Sequence, residues 1–320
     1  MTKLIIQIPC YNEAETLGVT VAALPRLVPG VDKVEILVID DGSTDGTDLV
    51  AREVGVHHVV RLPRNQGLAA AFMAGLRASI DAGADIIVNT DADNQYCADD
   101  IPKLVDPVLR GDAEIVVGAR PIAEIGHFSP AKKFLQKLGS WAVRQASKTD
   151  IPDAPSGFRA FSRDAAMQMN VFSEYTYTLE TIIQAGQKNM AIVSVPVRVN
   201  EELRPSRLIK SISSYISRSV LTIARIFVLY RAFRFFAMLG ATLFGVGFLL
   251  ALRFLYFYLT GEGDGHVQSV LLSVGLMTMG FIALIFGIIA DLVSINRKLL
   301  ERITVQVHRV DELLRNRDVG

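Results

Sequence analysis

The segment NTDADNQY, Asn89 to Tyr96, sets two carboxylates two residues apart behind the apolar run ADIIV. In extended backbone, residues i and i+2 point to the same side, so Asp91 and Asp93 can approach one cation together. Hard carboxylate oxygens suit Mg2+ or Mn2+. Such a cation bridges carboxylates to a diphosphate and takes up charge on a departing nucleoside diphosphate. Gln95 continues the i+2 series and offers a third oxygen. Read alone, Asp-x-Asp fits a polar turn at a strand end equally well.

Three further clusters carry chemistry-capable side chains. DDGSTDGT, Asp40 to Thr47, begins with two adjacent carboxylates. Gly42 allows a tight turn and Asp45 can cap the next helix. A capped turn explains Ser43, Thr44 and Asp45, but not Asp40 beside Asp41, since adjacent like charges need neutralisation or hydrogen bonds. A ligand's ring N–H or ribose hydroxyls would supply these. IPCYNE places Pro9, Tyr11 and Glu13 together, with Tyr11 able to line a base pocket and Glu13 to accept hydroxyls. Asn12 and Glu13 equally suit a helix start. DAPSGFRAF, Asp153 to Phe161, also reads as a turn leading into a strand, with Arg159 a surface charge.

These clusters need strands to hold them. KLIIQIP, VEILVID, HHVVRL, ADIIVNT and AEIVVGA read as short strands, nearly all apolar and rich in β-branched residues. Helical patterns separate them, in EAETLGVTVAALPRLV, DGTDLVAREV, GLAAAFMAGLRASIDAG and ADDIPKLVDPVLRG. Alternating β and α elements with apolar strands predict an α/β fold, a mostly parallel sheet with helices on both faces. Ligands of such sheets bind at the carboxyl ends of the strands. PCYNE, DDGSTDGT, RNQG and DADNQ all fall at such ends.

The 320 residues are half hydrophobic, and a mean hydropathy of +0.33 directs attention to membrane segments. Residues 207–231 place apolar side chains at helical spacing with Lys210, Arg218 and Arg225 among them, the pattern of a membrane-surface or core-packing helix. Phe235 to Thr260 contains one charge, Arg253, and Val267 to Ala290 contains none. Each is long enough to cross a bilayer, which needs about 20 residues. Glu262 and Asp264 lie between them, whereas Arg225, Arg231 and Arg234 precede and Arg297, Lys298 and Arg302 follow. The positive-inside rule then predicts both termini in the cytosol. Asn296 to Arg317 reads as a charged amphipathic helix, lying at the surface or pairing with a neighbouring subunit. Expected divisions are a catalytic domain at 1–206, juxtamembrane helices at 207–234, a hairpin at 235–294 with spans near 235–259 and 267–290, and a cytosolic helix at 295–320. Two cysteines, Cys10 and Cys97, give no disulfide framework, and the five histidines show no zinc spacing. Acidic and basic residues number 33 each, so net charge gives no reason to expect nucleic acid. The first residues hold too short an apolar run for a signal peptide.

Taken together, IPCYNE, VIDDGSTDGT, RNQGLAAAFMAGL and NTDADNQ resemble, in order and spacing, family 2 glycosyltransferases of the GT-A (Rossmann-like) fold. The closer resemblance is to polyprenyl-phosphate glycosyltransferases, of the dolichyl-phosphate mannosyltransferase and bactoprenol glucosyltransferase type, over about residues 3–208. It implies nucleotide binding by Pro9, Tyr11, Glu13, Asp41 and Asp91, and Mg2+ or Mn2+ binding by Asp91, Asp93 and Gln95. Asn94 and Tyr96 stand where the usual motif has Leu and Pro. The resemblance makes Asp153, Arg159 and Asp93 catalytic. It assigns the acceptor phosphate to Arg120, Lys132, Ser156, Arg159 and Arg204, with Lys133, Ser206 and Arg207 nearby. Pro205 departs from the family pattern there, and Glu180 stands either for a pocket carboxylate or for a helix surface charge.

The implied activity is inverting transfer of a hexose from a UDP- or GDP-linked sugar to undecaprenyl or dolichyl phosphate at the plasma (inner) membrane, by a homo-oligomer such as a tetramer. A processive polysaccharide synthase would carry Gln-x-x-Arg-Trp, but the one tryptophan, Trp141, lies in GSWAV. Another lipid or polysaccharide acceptor, or a non-catalytic membrane assembly protein, remain as alternatives.

Overall fold

The apolar runs KLIIQIPC and KVEILVID form adjacent strands in the computed structural model of the chain, β1 (Lys3–Cys10) and β2 (Lys33–Asp40). The structure describes residues 1–121, 140–141, 143–144, 147, 149–171, 177–201, 232–261 and 267–318. It divides into two compact units, Met1–Val220 and Leu221–Gly320.

In the first unit, β1 and β2 pair in parallel with β3 (His58–Arg61) beyond β2 and β4 (Ile86–Asn89) beside β1. The sheet is completed by β5 (Ile115–Ala119), β6 (Arg159–Ser162) and β7 (Ile192–Pro196), in the order β3-β2-β1-β4-β6-β5-β7. Only β6 is antiparallel to its neighbours. Leu4, Ile5, Ile6, Ile8, Ile36, Leu37, Val38 and Ile39 are wholly buried, because helices cover both faces of the central strands. Burying each such side chain is worth roughly 1.5–3 kcal/mol. The edge strands β3 and β7 are only partly buried.

The helices are shorter than their sequence patterns. α1 (Ala14–Ala23) stops where Leu24, preceding Pro25, turns extended, as the steric clash before proline requires. α2 (Thr47–Glu53), α3 (Leu68–Asp81) and α4 (Ile101–Leu109) follow. α5 (Arg163–Gln168) is capped by Ser162, whose Oγ accepts the Ala165 amide, and α6 (Thr178–Gln187) precedes β7.

Strands are added outward from β1 through β2 to β3, and the chain then returns to β4 on the other side. That reversal opens a crevice beyond the carboxyl ends of β1 and β4. Because β6 runs antiparallel, with Asn89 opposite Arg159, its first residue lies at the same edge. The loop at 153–158 is thereby delivered beside the end of β4.

The second unit contains α7 (Ala232–Leu259) and α8 (Val267–Asp318). Phe233–Leu259 and Val267–Asn296 have mean hydropathies of 2.2 and 2.3 and are long enough to cross a membrane. Their apolar side chains are mostly turned outward, Leu249, Leu271, Phe281 and Phe286 among them. A soluble core helix would bury that surface. The two helices meet at glycines. A Cβ on Gly240 would lie 2.7 Å from the Gly280 carbonyl, and one on Gly247 would lie 2.9 Å from the Ser273 carbonyl. Ser273 Oγ donates to the Gly247 carbonyl at 2.7 Å. Small residues allow this close backbone approach where lipid gives no hydrophobic drive. α8 differs from the sequence expectation of a span followed by a separate helix: it is one unbroken element of 52 residues. The expected juxtamembrane helix at 207–231 lies outside the described residues.

Candidate active site

At the ends of β1 and β2, backbone turns are tied by side-chain oxygens. Asn12, in the left-handed region at φ 55°, donates its amide to Ser43 Oγ at 2.9 Å, and its Oδ1 accepts the Thr44 amide at 2.9 Å. The Glu13 amide donates to Thr47 Oγ1 at 2.9 Å, and the Ala14 amide to Asp45 Oδ2 at 3.0 Å. Glu13 is buried and accepts from Thr16 Oγ1 at 2.8 Å, while Tyr11 is exposed.

The adjacent carboxylates Asp40 and Asp41 are both buried, and the protein itself supplies the partners that the sequence reading looked for in a ligand. Asp40 Oδ1 accepts the Ser43 amide at 2.9 Å, and Arg61 Nε lies 3.4 Å from Oδ2. Asp41 accepts the Gln66 and Gly67 amides, each at 2.8 Å, at the start of α3. Burial raises the Asp41 carboxyl above its ordinary range and the Asp40 charge adds to this, while those amides oppose it. A Cβ on Gly42 would lie 2.5 Å from the Arg64 carbonyl carbon, so only glycine lets the RNQG turn close over this strand end. Pro9 is buried at the end of β1 opposite Ile39.

The Asp-x-Asp segment is not extended. β4 ends at Asn89, residues 92–93 form a turn, and Asn94 adopts φ 54°. Strand alternation therefore does not bring the carboxylates together; the turn does. Burial, then the charge of Asp93, holds the Asp91 carboxyl well above the usual carboxylate range, while Arg120 and Arg159 oppose this. The Gln95 amide donates to Asp93 Oδ1 at 3.2 Å. The turn is held by two residues, Thr20 and Asn200. Thr20 Oγ1 donates to the Ala92 carbonyl at 2.7 Å, Asn200 Nδ2 to the Asn94 and Tyr96 carbonyls at 2.9 and 3.2 Å, and the Asn200 amide to the Gln95 carbonyl at 2.8 Å. Two half-buried carboxylates, one of which stays raised although Arg120 and Arg159 offset part of the cost, suit a hard divalent cation. Among the described residues no three His, Cys, Asp or Glu side chains cluster, so most of a cation's oxygen shell comes from elsewhere.

The acceptor-type motif lies against this turn. Gly157 donates its amide to Tyr96 Oη at 2.9 Å, and its carbonyl accepts Asn89 Nδ2 at 2.9 Å. A Cβ there would sit 2.9 Å from Tyr177 Oη and 3.0 Å from Asp91 Oδ1. Tyr96, a departure from the usual motif, is buried and stacks on Phe158 with centroids 4.9 Å apart. Asn89 Nδ2 also donates to Tyr177 Oη at 2.8 Å, and Gln7 Nε2 donates to Asn89 Oδ1 at 2.9 Å. Tyr177 in turn stacks on Phe72 at 3.9 Å. Gln7, Asn89, Tyr177 and Asn200 thus shape the site; of these only Asn89 lies in a motif singled out in the sequence, NTDADNQY, and it carried no role there.

Asp153 is buried and grips Arg120 with both oxygens: Nε donates to Oδ2 at 2.7 Å and Nη2 to Oδ1 at 3.0 Å. The Arg120 amide adds a third bond to Oδ2 at 3.1 Å. Arg159 has no exposed surface. Its Nε donates to the Ser156 carbonyl at 2.8 Å, Nη2 to the Ala154 carbonyl at 2.7 Å, and Nη1 to Thr181 Oγ1. Burial pushes its pKa down to about 10, leaving it charged at neutral pH. Arg159 is therefore neither the surface charge of one sequence reading nor, in this conformation, open to a phosphate. It braces the loop that carries Asp153. Ser156 is likewise wholly buried, and its Oγ makes no hydrogen bond among the described residues. Glu180 is buried, which excludes the plain surface charge. Lys132, Lys133, Arg204, Ser206 and Arg207 lie outside the described residues.

Residues 5–169 match the family described as Glycosyl transferase family 2, and the chain belongs to that family. It is a glycosyltransferase with a GT-A-like sheet. The undecaprenyl-phosphate mannosyltransferase of Micrococcus luteus is 30% identical over 212 residues, covering 63% of this chain and 85% of that protein. The UDP-N-acetylglucosamine–dolichyl-phosphate N-acetylglucosaminyltransferase of Methanococcus voltae is 30% identical over 216 residues, covering 60% and 83%. Among solved structures, glucosyl-3-phosphoglycerate synthase of Mycobacterium tuberculosis, crystallised with Mn2+ and UDP, superposes with a TM-score of 0.55 at 21% identity, covering 71% of this chain and 79% of that one.

Proposed function

We propose that this chain transfers a hexose, with inversion, from a nucleoside diphosphate sugar to a polyprenyl phosphate at a membrane face. The observation that carries the reading is the Asp91–Asp93 pair at the β1/β4 crevice, whose Asp91 carboxyl stays raised despite Arg120 and Arg159, in a chain that also bears two long apolar helices. The two relatives above, one acting on undecaprenyl phosphate and one on dolichyl phosphate, support the same acceptor class.

Pro9, Tyr11, Glu13 and Asp41 form the nucleotide side. Asp41 fixes the RNQG turn through two amides, so the base would meet a preformed wall. Asp91 and Asp93, with Gln95, are the side chains for Mg2+ or Mn2+. When bound, the cation neutralises charge on the leaving diphosphate. Asp153 orients the acceptor, or takes its proton if the phosphate arrives as a monoanion, and either role requires exchange of its present bonds to Arg120. The second phosphate pKa is near 6, so at neutral pH a strong base is unnecessary and positioning dominates. Arg120, paired with Asp153 at the same edge, reaches the acceptor phosphate in this proposal through that pair. Arg159 and Ser156 hold the loop, and a direct phosphate contact by Arg159 requires exchange of its present bonds. Lys132 and Arg204 complete the acceptor side in this proposal.

The division into a catalytic domain at 1–206, juxtamembrane helices at 207–234, a hairpin at 235–294 and a C-terminal helix at 295–320 belongs to the same reading, as do cytosolic termini at the plasma membrane and a homo-oligomer such as a tetramer. Membranes containing the protein are incubated with labelled UDP- and GDP-sugars and undecaprenyl phosphate. A metal-dependent, lipid-extractable polyprenyl-phosphate sugar is the expected product. Growing polymer, or no product with any donor, overturns the proposal.

A further inference from the structure

The unbroken helix α8 continues for about six turns past Asn296, beyond the apolar span Val267–Asn296. A helix bends only gently without proline or a bulge, so this extension leaves the bilayer along the direction of the span rather than lying on its surface. It carries a heptad pattern, interrupted at one position by Gln306. Ile289, Asn296, Ile303 and Val310 occupy one position of the repeat, and Leu292, Leu299, Gln306 and Leu313 the other. The two series alternate at spacings of three and four residues over the whole stretch.

The residue types fit a parallel coiled coil: β-branched side chains at three of four a positions with asparagine at the other, and leucine at three of four d positions with glutamine at the other. Ile289, Leu292, Asn296, Leu299, Ile303 and Gln306 are all exposed, so nothing in the described chain covers this seam. We propose that the seam is covered by the same helix of a second copy, in parallel and in register, with Asn296 facing Asn296. The bilayer favours this occupant. Two copies spanning one membrane with the same orientation present identical seams at the same height, and Asn296 stands at the end of the apolar span. An asparagine at a costs stability while fixing register and copy number.

The parallel arrangement rests on the proposed membrane span, and the test separates the two. Full-length protein in membranes, with Asn296→Cys on one sample and Glu301→Cys on another, is oxidised and run without reductant. Glu301 lies on the opposite side of the heptad. A covalent dimer from Asn296→Cys, absent from Glu301→Cys and from the unmodified chain with its Cys10 and Cys97, is expected. Equal cross-linking of both variants, or none, overturns the proposal. In detergent, Leu299→Glu with Ile303→Glu should lower the mass measured by light scattering; an unchanged mass also overturns it. A heterodimeric cross-link to another protein from Asn296→Cys would assign the seam to a different partner and likewise sink the self-pairing. Alkaline carbonate extraction of the same membranes reports on the span alone. Release of the chain would remove the membrane reading while leaving the cross-linking result to be judged by itself.

Discussion

The two sides of the candidate site treat charge in opposite ways. At the end of β4, burial and the Asp93 charge keep the Asp91 carboxyl raised, although Arg120 and Arg159 offset part of the cost. At the loop before β6, Arg120 and Asp153 neutralise each other through a buried two-pronged pair, and the buried Arg159 spends donors on two carbonyls and a hydroxyl. One side is thus prepared for a cation from outside, and the other is a finished internal brace. In the proposed function, the donor side gains by binding charge, while the acceptor side depends on charges already matched in folding.

The sharpest way to break this contrast is at Asp93. Asp93→Ala should reduce transfer by roughly a thousand-fold, in the range of lost electrostatic stabilisation, while thermal unfolding of the metal-free protein stays unchanged or rises. Retained activity in the labelled-sugar assay would end the cation assignment. Asp153→Ala should behave oppositely in stability, costing about 3–5 kcal/mol because it strands the buried Arg120 charge. Denaturant unfolding of the whole chain measures this, and a loss under about 1 kcal/mol would mean the pair is not buried in solution. Gly157→Ala joins the two sides, since its Cβ would press on Asp91 and Tyr177; about 1–3 kcal/mol of overpacking is expected, with weaker cation binding by calorimetry.

pH should divide the two kinds of carboxylate. Asp91 has a raised folded value, so its contribution favours the fold at low pH and is lost as pH rises from the usual carboxylate range toward neutrality. Added Mg2+ should restore stability at neutral pH, and Asp91→Asn should remove that metal response. Asp100 is the opposite case. Against the desolvation of its burial, hydrogen bonds from Arg198 and Lys103 hold it down at about 2. Its stabilisation is present above the ordinary carboxylate value and disappears as pH falls toward about 2. A metal-free stability profile without a decline on either side would contradict both assignments. The smallest effect belongs to Tyr96→Phe, which leaves the Gly157 amide without its acceptor and should cost about 1–2 kcal/mol. An unchanged melting temperature would show that Tyr96 does not tie the two loops.

Some of this was legible in residue order. Alternating apolar runs and helical patterns gave a doubly covered, mostly parallel sheet, because burial on both faces leaves strands no polar positions. The polar clusters after strands located the crevice for the same reason. The chemistry within the clusters was less legible. Asp-x-Asp acts through a turn, with Asn94 left-handed, where alternation along a strand was expected. The paired Asp40 and Asp41 proved to be met by Ser43, Arg61, Gln66 and Gly67.

The sequence by itself determined the element order, the strand-end position of each motif and the two apolar helices, since these follow from local periodicity and from runs long enough to cross a bilayer. Only the tertiary structure decided which charges are spent. Whether Arg159 meets a phosphate or a carbonyl depends on the antiparallel insertion of β6 beside β4, a pairing between segments some seventy residues apart. Hydrogen-bond partners set by such long-range packing leave no spacing in the chain from which they can be read.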